Sequence, residues 1–258
     1  MNLPLCSRAA PPPGCTISFQ DFYKSDAQNL YALLVVPLLF LLASPRLFKA
    51  RGGLLPELEP FMRGYALVFT IETLADPLAN VLLPRLLGEG LATGKLIPFF
   101  FVLAGDFRVL LLMLALTATR RPFLLAAALS FVVPILGQVT GSLIEAAGGP
   151  SADRTQWITY ELLFLVLINL VHLRLRPRLA SRPELARYLR ALTVYVSAYY
   201  GLWLTSDLLT AAGADAGWAL RVIPNQLYYA FYVPFAWFSF FGTAARYAAT
   251  STSTHASR

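Results

Sequence analysis

Residues 97–118 read IPFFFVLAGDFRVLLLMLALTA, a run in which only Asp106 and Arg108 are ionisable. A helix needs about 20 predominantly apolar residues to cross the hydrocarbon core of a bilayer. This stretch therefore decides the class of the protein: a membrane-spanning helix that carries an aspartate and an arginine at mid-depth. Working outward, the same criterion selects 30–48, 64–86, 123–145, 156–174, 190–212 and 218–243, which makes seven spans. Gly and Pro punctuate the gaps at Gly52-Gly53, Gly88 to Gly94, Pro122, Gly148-Gly149-Pro150, Pro183 and Gly213. The second stretch is the least hydrophobic, because it holds Glu72, Asp76 and Asn80; discounting it gives the alternative count of six.

Composition points the same way. Of 258 residues, 57% are hydrophobic and 14% are charged, against about 25% charged in soluble domains. Those figures exclude a disordered, collagen-like, coiled-coil or disulfide-scaffold protein. The expected fold is all-α, a polytopic integral membrane bundle of about seven transmembrane helices. Residues 1–28 form an extracytoplasmic segment, 29–243 the transmembrane domain, and 244–258 a disordered cytoplasmic tail. The first 28 residues hold no apolar leader, so the first span is expected to direct its own insertion.

Basic residues set the orientation. With seven spans, the loops after spans one, three and five and the C-terminus hold 14 of the 21 Lys and Arg. The opposite side holds six, and Arg108 is intramembrane. The excess marks the first set as cytoplasmic, N-out and C-in, in an inner or plasma membrane. The net charge of +7 is then a topology signal, and no nucleic-acid partner is expected. Its densest cluster is Arg174, Arg176, Arg178, Arg182, Arg187 and Arg190. These are expected to meet anionic lipid headgroups at about 1 kcal/mol per basic residue; a cytoplasmic partner docking there is the alternative. Cys6 and Cys15 either close one disulfide across a short loop or remain free thiols.

The informative residues are the charges inside the spans: Glu72, Asp76, Asp106, Arg108, Glu161 and Asp207. Each costs about 2.5–3.5 kcal/mol at a helix centre on insertion scales, and such groups usually face the protein interior. Glu72 and Asp76 share a helix face at i, i+4, and Pro77 kinks the chain beside them. Asp106 and Arg108 lie about 200° apart around their helix, so Arg108 should seek an acid on a neighbouring one. Glu161, Asn169 and His172 lie along one stripe of span five, and Tyr200, Trp203 and Asp207 along one of span six. Asn225, Tyr228, Tyr229, Tyr232 and Ser239 follow one face of span seven. Span four carries Gly137 and Gly141, a G-x-x-x-G suited to close packing.

Depth, at about 1.5 Å per residue, puts Asp76 just outside the midplane, Glu72 and Asp106 near it, Arg108 just cytoplasmic of it, and Glu161, Asp207 and Asn225 in the outer third, so a polar site with Tyr228 at its entrance is expected between the midplane and the outer face. Five acids against one arginine leave a formal −4, which in a low dielectric demands protons or a cationic ligand. The expected function is to bind, and to transport, a small polar or cationic solute or protons.

Several chemistries are disfavoured. A retinal Schiff base needs a mid-span lysine, whereas Lys24, Lys49 and Lys95 lie outside the spans or at their ends. Haem and zinc need several histidines, and only His172 and His255 exist. No cofactor is therefore expected, and no H-E-x-x-H, G-x-S-x-G or Walker A pattern occurs. The alternative function is an aspartate-dependent lipid hydrolase. Gly105-Asp106 with Leu110 to Met113, Ser206 to Leu209, and Tyr228-Tyr229-Ala230 faintly resemble motifs of the lysoplasmalogenase family. The resemblance implies hydrolysis of a lysolipid vinyl ether, with Asp106 and Asp207 as catalytic acid and base. It covers three short patches; the family's His-bearing helix and its eight spans have no match. Seven N-out spans also parse as three plus one plus three, as in SWEET-type sugar transporters. However, Pro37 and Pro77 lack counterparts in spans five and six. A third class is a sensor or assembly factor that acts through the Arg-rich hairpin.

Overall fold

The computed structural model describes residues 18–49, 54–88, 90, 94, 96–149 and 152–242. Cys6, Cys15, Lys95, His255 and the tail 244–258 lie outside the described residues, which contain helices, turns and no strand. A short helix α1 (Phe19–Lys24) leads through a π-helical turn (Ala27–Tyr31) into α2 (Ala32–Leu47). Then follow α3 (Glu59–Leu87), α4 (Ile97–Leu116), α5 (Pro122–Ala146), α6 (Ala152–Leu175) and α7 (Pro183–Ala211). Last comes α8 (Ala216–Asn225), which runs through a second π-helical turn (Gln226–Phe231) into helix 232–242.

Sequence punctuation explains these boundaries. Pro occupies the first turn of α3, α4, α5 and α7, where its missing N–H costs nothing and its fixed φ suits a helix. Gly148 and Gly213, just beyond the ends of α5 and α7, adopt φ of 83° and 81°, the left-handed geometry that stops a helix.

Among the described residues, five helices are long and apolar enough to cross a membrane: Ala27–Leu47, Pro56–Leu87, Ile97–Leu116, Pro122–Ala146 and Thr155–Leu179. Rows of apolar side chains point outward, among them Phe131, Ile135 and Val139 on α5 and Leu162, Val166 and Leu170 on α6. This outward apolar surface fits an integral membrane protein. The remaining two long helices, α7 and 216–242, are less apolar because they carry the hydroxylated and indole rings. Those rings turn inward: Tyr188, Tyr199, Tyr200, Trp203, Tyr228, Tyr232 and Trp237 are all buried.

Sequential helices pack as neighbours throughout α2 to α8. Gly137 lets α5 approach α6, since a Cβ there would lie 3.2 Å from the Gln156 carbonyl. Gly217 lets α8 fold back on α7, where the Ser206 hydroxyl donates to the Gly217 carbonyl at 2.5 Å. At one end of the bundle, Leu54 N–H donates to the Phe240 carbonyl (3.2 Å) and Arg178 to the Thr119 hydroxyl (3.1 Å). At the other end, Phe19 N–H donates to Asp215 (3.0 Å), and Arg85 pairs with Asp26 at 2.5 Å.

Candidate functional site

The end that α1 covers contains a cavity of about 280 Å³, close to the lower limit for small-molecule pockets. Every long helix except α5 contributes to its wall. Leu33 comes from α2, Asp76, Pro77, Asn80 and Val81 from α3, and Val102 from α4. Trp157, Tyr160 and Glu161 come from α6, and Trp203 from α7. Arg221, Asn225, Tyr228 and Tyr229 line the side of the last helix. Tyr23 of α1 and Asn29 of the first π-helical turn complete it.

Of the eight residues expected from sequence, Asp76, Glu161, Asn225 and Tyr228 line this cavity. Glu72, Asp106, Arg108 and Asp207 stand behind it, each tied to protein partners. Arg108 is 1% exposed and reaches Glu72 on α3, as its helical position required. Its Nη1 donates to Glu72 Oε2 at 3.0 Å and to the Thr73 hydroxyl at 2.8 Å, while Nη2 donates to the Tyr228 carbonyl at 2.5 Å. The guanidinium lies 4.6 Å and 4.9 Å from the Tyr228 and Tyr232 ring centres, a desolvated cation–π arrangement. The Tyr65 hydroxyl donates to the Arg108 carbonyl (2.9 Å) and lies 3.1 Å from the Tyr232 hydroxyl, closing the layer beneath the cavity.

Asp106, fully buried, accepts from two tyrosines: Tyr160 at 2.7 Å and Tyr200. These hydroxyls stand 3.1 Å apart, so two phenols from α6 and α7 clamp one carboxyl of α4. Asp207 pairs with Arg221, a residue that the charge count by loops assigns to the outer side of the membrane. It is instead part of the wall, its guanidinium four-fifths buried. The formal imbalance is thus five acids against two arginines. Tyr23 ties the cover in place: its hydroxyl accepts from Arg221 Nε (3.0 Å) and Asn225 Nδ2 (3.1 Å). Asn225 in turn accepts from Trp203 Nε1 at 2.9 Å.

Three buried acceptors without a partner belong to residues of the cavity wall. Asp76 is 3% exposed; its Oδ1 accepts from Asn80 Nδ2, and its Oδ2 accepts no hydrogen bond. Glu161 is 2% exposed and its Oε2 likewise has no donor. Asn80 Oδ1 is a third such acceptor. A buried polar atom left without a partner costs on the order of 1–3 kcal/mol, more when charged, so three in one cavity ask for an explanation. Tyr23, Trp157, Tyr160, Trp203, Tyr228 and Tyr229 surround them with aromatic surface.

No protein-family model, curated protein or solved structure matches this chain. The lipid-hydrolase alternative needs Asp106 and Asp207 on one cavity, within about one water of each other. Each has its own partner set instead, and neither belongs to the cavity wall. The geometry favours binding over that acid–base pair.

Some members of the site carry a sequence signal that the charge count did not use. Trp157, Tyr160 and Glu161 fall at i, i+3 and i+4, one helical face. Tyr23 and Asn29 carry none, because they precede the first apolar run.

Proposed function

We propose that this is a seven-span membrane protein, N-out and C-in, whose outward cavity binds a small cationic solute for transport. Five apolar helices form part of the bundle. Helix α7, with 29 residues, and helix 216–242 supply two more elements of about 43 and 40 Å at 1.5 Å per residue, against a core of about 30 Å. The wall draws on the start of α2, α4, α6 and the last helix and on the later part of α3 and α7. That pattern fits seven helices of alternating direction, and the basic-residue excess puts the cavity on the outer side.

The observation that carries the functional reading is the pair of donorless carboxyl oxygens, Asp76 Oδ2 and Glu161 Oε2, on one aromatic-walled cavity. An ammonium ligand supplies the missing donors and neutralises the charge, and ring faces add cation–π attraction of about 0.5–2 kcal/mol each. Exposed Arg174, Arg176, Arg182 and Arg190 at the opposite end are placed to meet anionic headgroups.

Thermal unfolding of the purified protein in nanodiscs, with tetramethylammonium or butylammonium added, tests the reading. Binding to the folded state stabilises it by about 2.7 kcal/mol at a hundredfold excess over Kd. A saturable rise in Tm that Asp76→Asn removes is expected; no response to either cation refutes the reading.

A further inference from the structure

The cavity offers its unpaired acceptors in two groups. Asp76 Oδ2 and Asn80 Oδ1 sit one turn apart on α3, and Glu161 Oε2 comes from α6. The nearby carboxyls are already neutralised, Glu72 by Arg108 and Asp207 by Arg221. Asp76 and Glu161 therefore remain at the wall without an ion pair, on two helices, and three acceptor atoms there have no hydrogen-bond donor. A proton on Asp76 Oδ2 has Asn80 Oδ1 as an acceptor, so protons satisfy part of this set, yet they fill none of the aromatic-walled cavity. A monocation meets one group and leaves the other charge buried and bare. A divalent metal would gather both carboxylates and further oxygens into one small coordination sphere. Here the remaining wall is largely rings and aliphatic side chains, among them Trp203, Tyr228, Tyr229 and Leu33.

We infer that the ligand is a linear dication with a primary ammonium at each end of an apolar spacer. One ammonium is held by Asp76 and Asn80, the other by Glu161, and the methylenes lie against Trp203, Tyr228 and Tyr229. Primary ammonium carries three donors and no acceptor, which matches a wall that offers acceptors. The inference rests on the cation-binding reading above and narrows it.

The test measures thermal unfolding in nanodiscs at constant ionic strength, with 1,3-diaminopropane, 1,4-diaminobutane and 1,5-diaminopentane against propylamine, butylamine and pentylamine, and with calcium and magnesium chloride. At least one diamine is expected to half-saturate at a concentration tenfold or more below that of its monoamine. Glu161→Gln is expected to erase that gap while leaving the monoamine response, and Asn80→Ala to weaken both amines. If Glu161→Gln does not fold, the diamine-to-monoamine gap of the unaltered protein across the three spacer lengths is the readout. Equal potency of diamine and monoamine overturns the dication and leaves cation binding standing. So does a response to the divalent metals alone, or an unchanged diamine preference in both variants. Silence toward every amine and metal removes both readings together.

Discussion

Arg108→Met is the perturbation that probes the layer beneath the cavity most sharply. Methionine keeps the stem volume and removes the charge, the ion pair to Glu72 at 3.0 Å, and the hydrogen bonds to Thr73 and the Tyr228 carbonyl. Breaking a buried pair by deleting one partner costs about 3–5 kcal/mol, mostly because the other charge is left bare. The two hydrogen bonds from the guanidinium to neutral acceptors add about 0.6–2 kcal/mol each inside a membrane protein. The expected loss is therefore about 4–9 kcal/mol. Because much of it is the orphaned carboxylate, Glu72→Gln in the Arg108→Met background should recover about 1–3 kcal/mol, although Glu72→Gln alone destabilises. Reversible unfolding in mixed micelles supplies all four corners of this double-mutant cycle. A cost below about 1 kcal/mol for Arg108→Met, or a double variant no better than the sum of the singles, would refute the paired-layer geometry.

Other expectations follow from individual contacts. A Cβ at Gly105 would lie 1.6 Å from the Tyr228 hydroxyl oxygen, so Gly105→Ala should cost about 1–3 kcal/mol as overpacking, and Tyr228→Leu in that background should recover part of it. Glu161→Gln removes a buried charge that has an unpaired oxygen; the ligand-free protein should become as stable or more so, by up to about 2 kcal/mol, while its stabilisation by diamines falls to that given by the matching monoamines. Tyr23→Phe deletes the acceptor shared by Arg221 and Asn225; limited proteolysis should cut residues 18–31 faster, with the unfolding midpoint of the bundle nearly unchanged. Single cysteines at Thr119 and Ala214, introduced after Cys6 and Cys15 are replaced by serine, should label from opposite sides of sealed vesicles; labelling from the same side would contradict the alternating seven-span arrangement.

The apolar helices were legible because hydrocarbon imposes one simple requirement, a long and predominantly apolar run, and five helices among the described residues meet it. The pairing of Arg108 with Glu72 was legible in outline, since a helix position two residues from Asp106 excludes the near acid. Three features were not. Arg221 lies near a Gly- and Asp-containing turn, and counting by loops cannot tell a flanking charge from one folded back onto Asp207. The π-helical turn at Gln226–Phe231 breaks the 3.6-residue period, so the single stripe expected from Asn225 to Tyr232 divides. Asn225, Tyr228 and Tyr229 meet the cavity, while Tyr232 drops to Tyr65 and Arg108. Pro224 precedes that turn and removes a helix-ladder donor, the one local hint of the irregularity. Finally, tyrosine phenols rather than arginine hold Asp106, and a charge tally takes no account of them.

The most direct measurement is a cryo-EM map of the protein in nanodiscs saturated with its best-stabilising amine. The expected result is ligand density in the cavity, with nitrogen at hydrogen-bond distance, about 2.7–3.2 Å, from Asp76 Oδ2 and Glu161 Oε2. A collapsed cavity in which both carboxyls have turned onto protein donors, or ligand bound only elsewhere, would contradict the central claim.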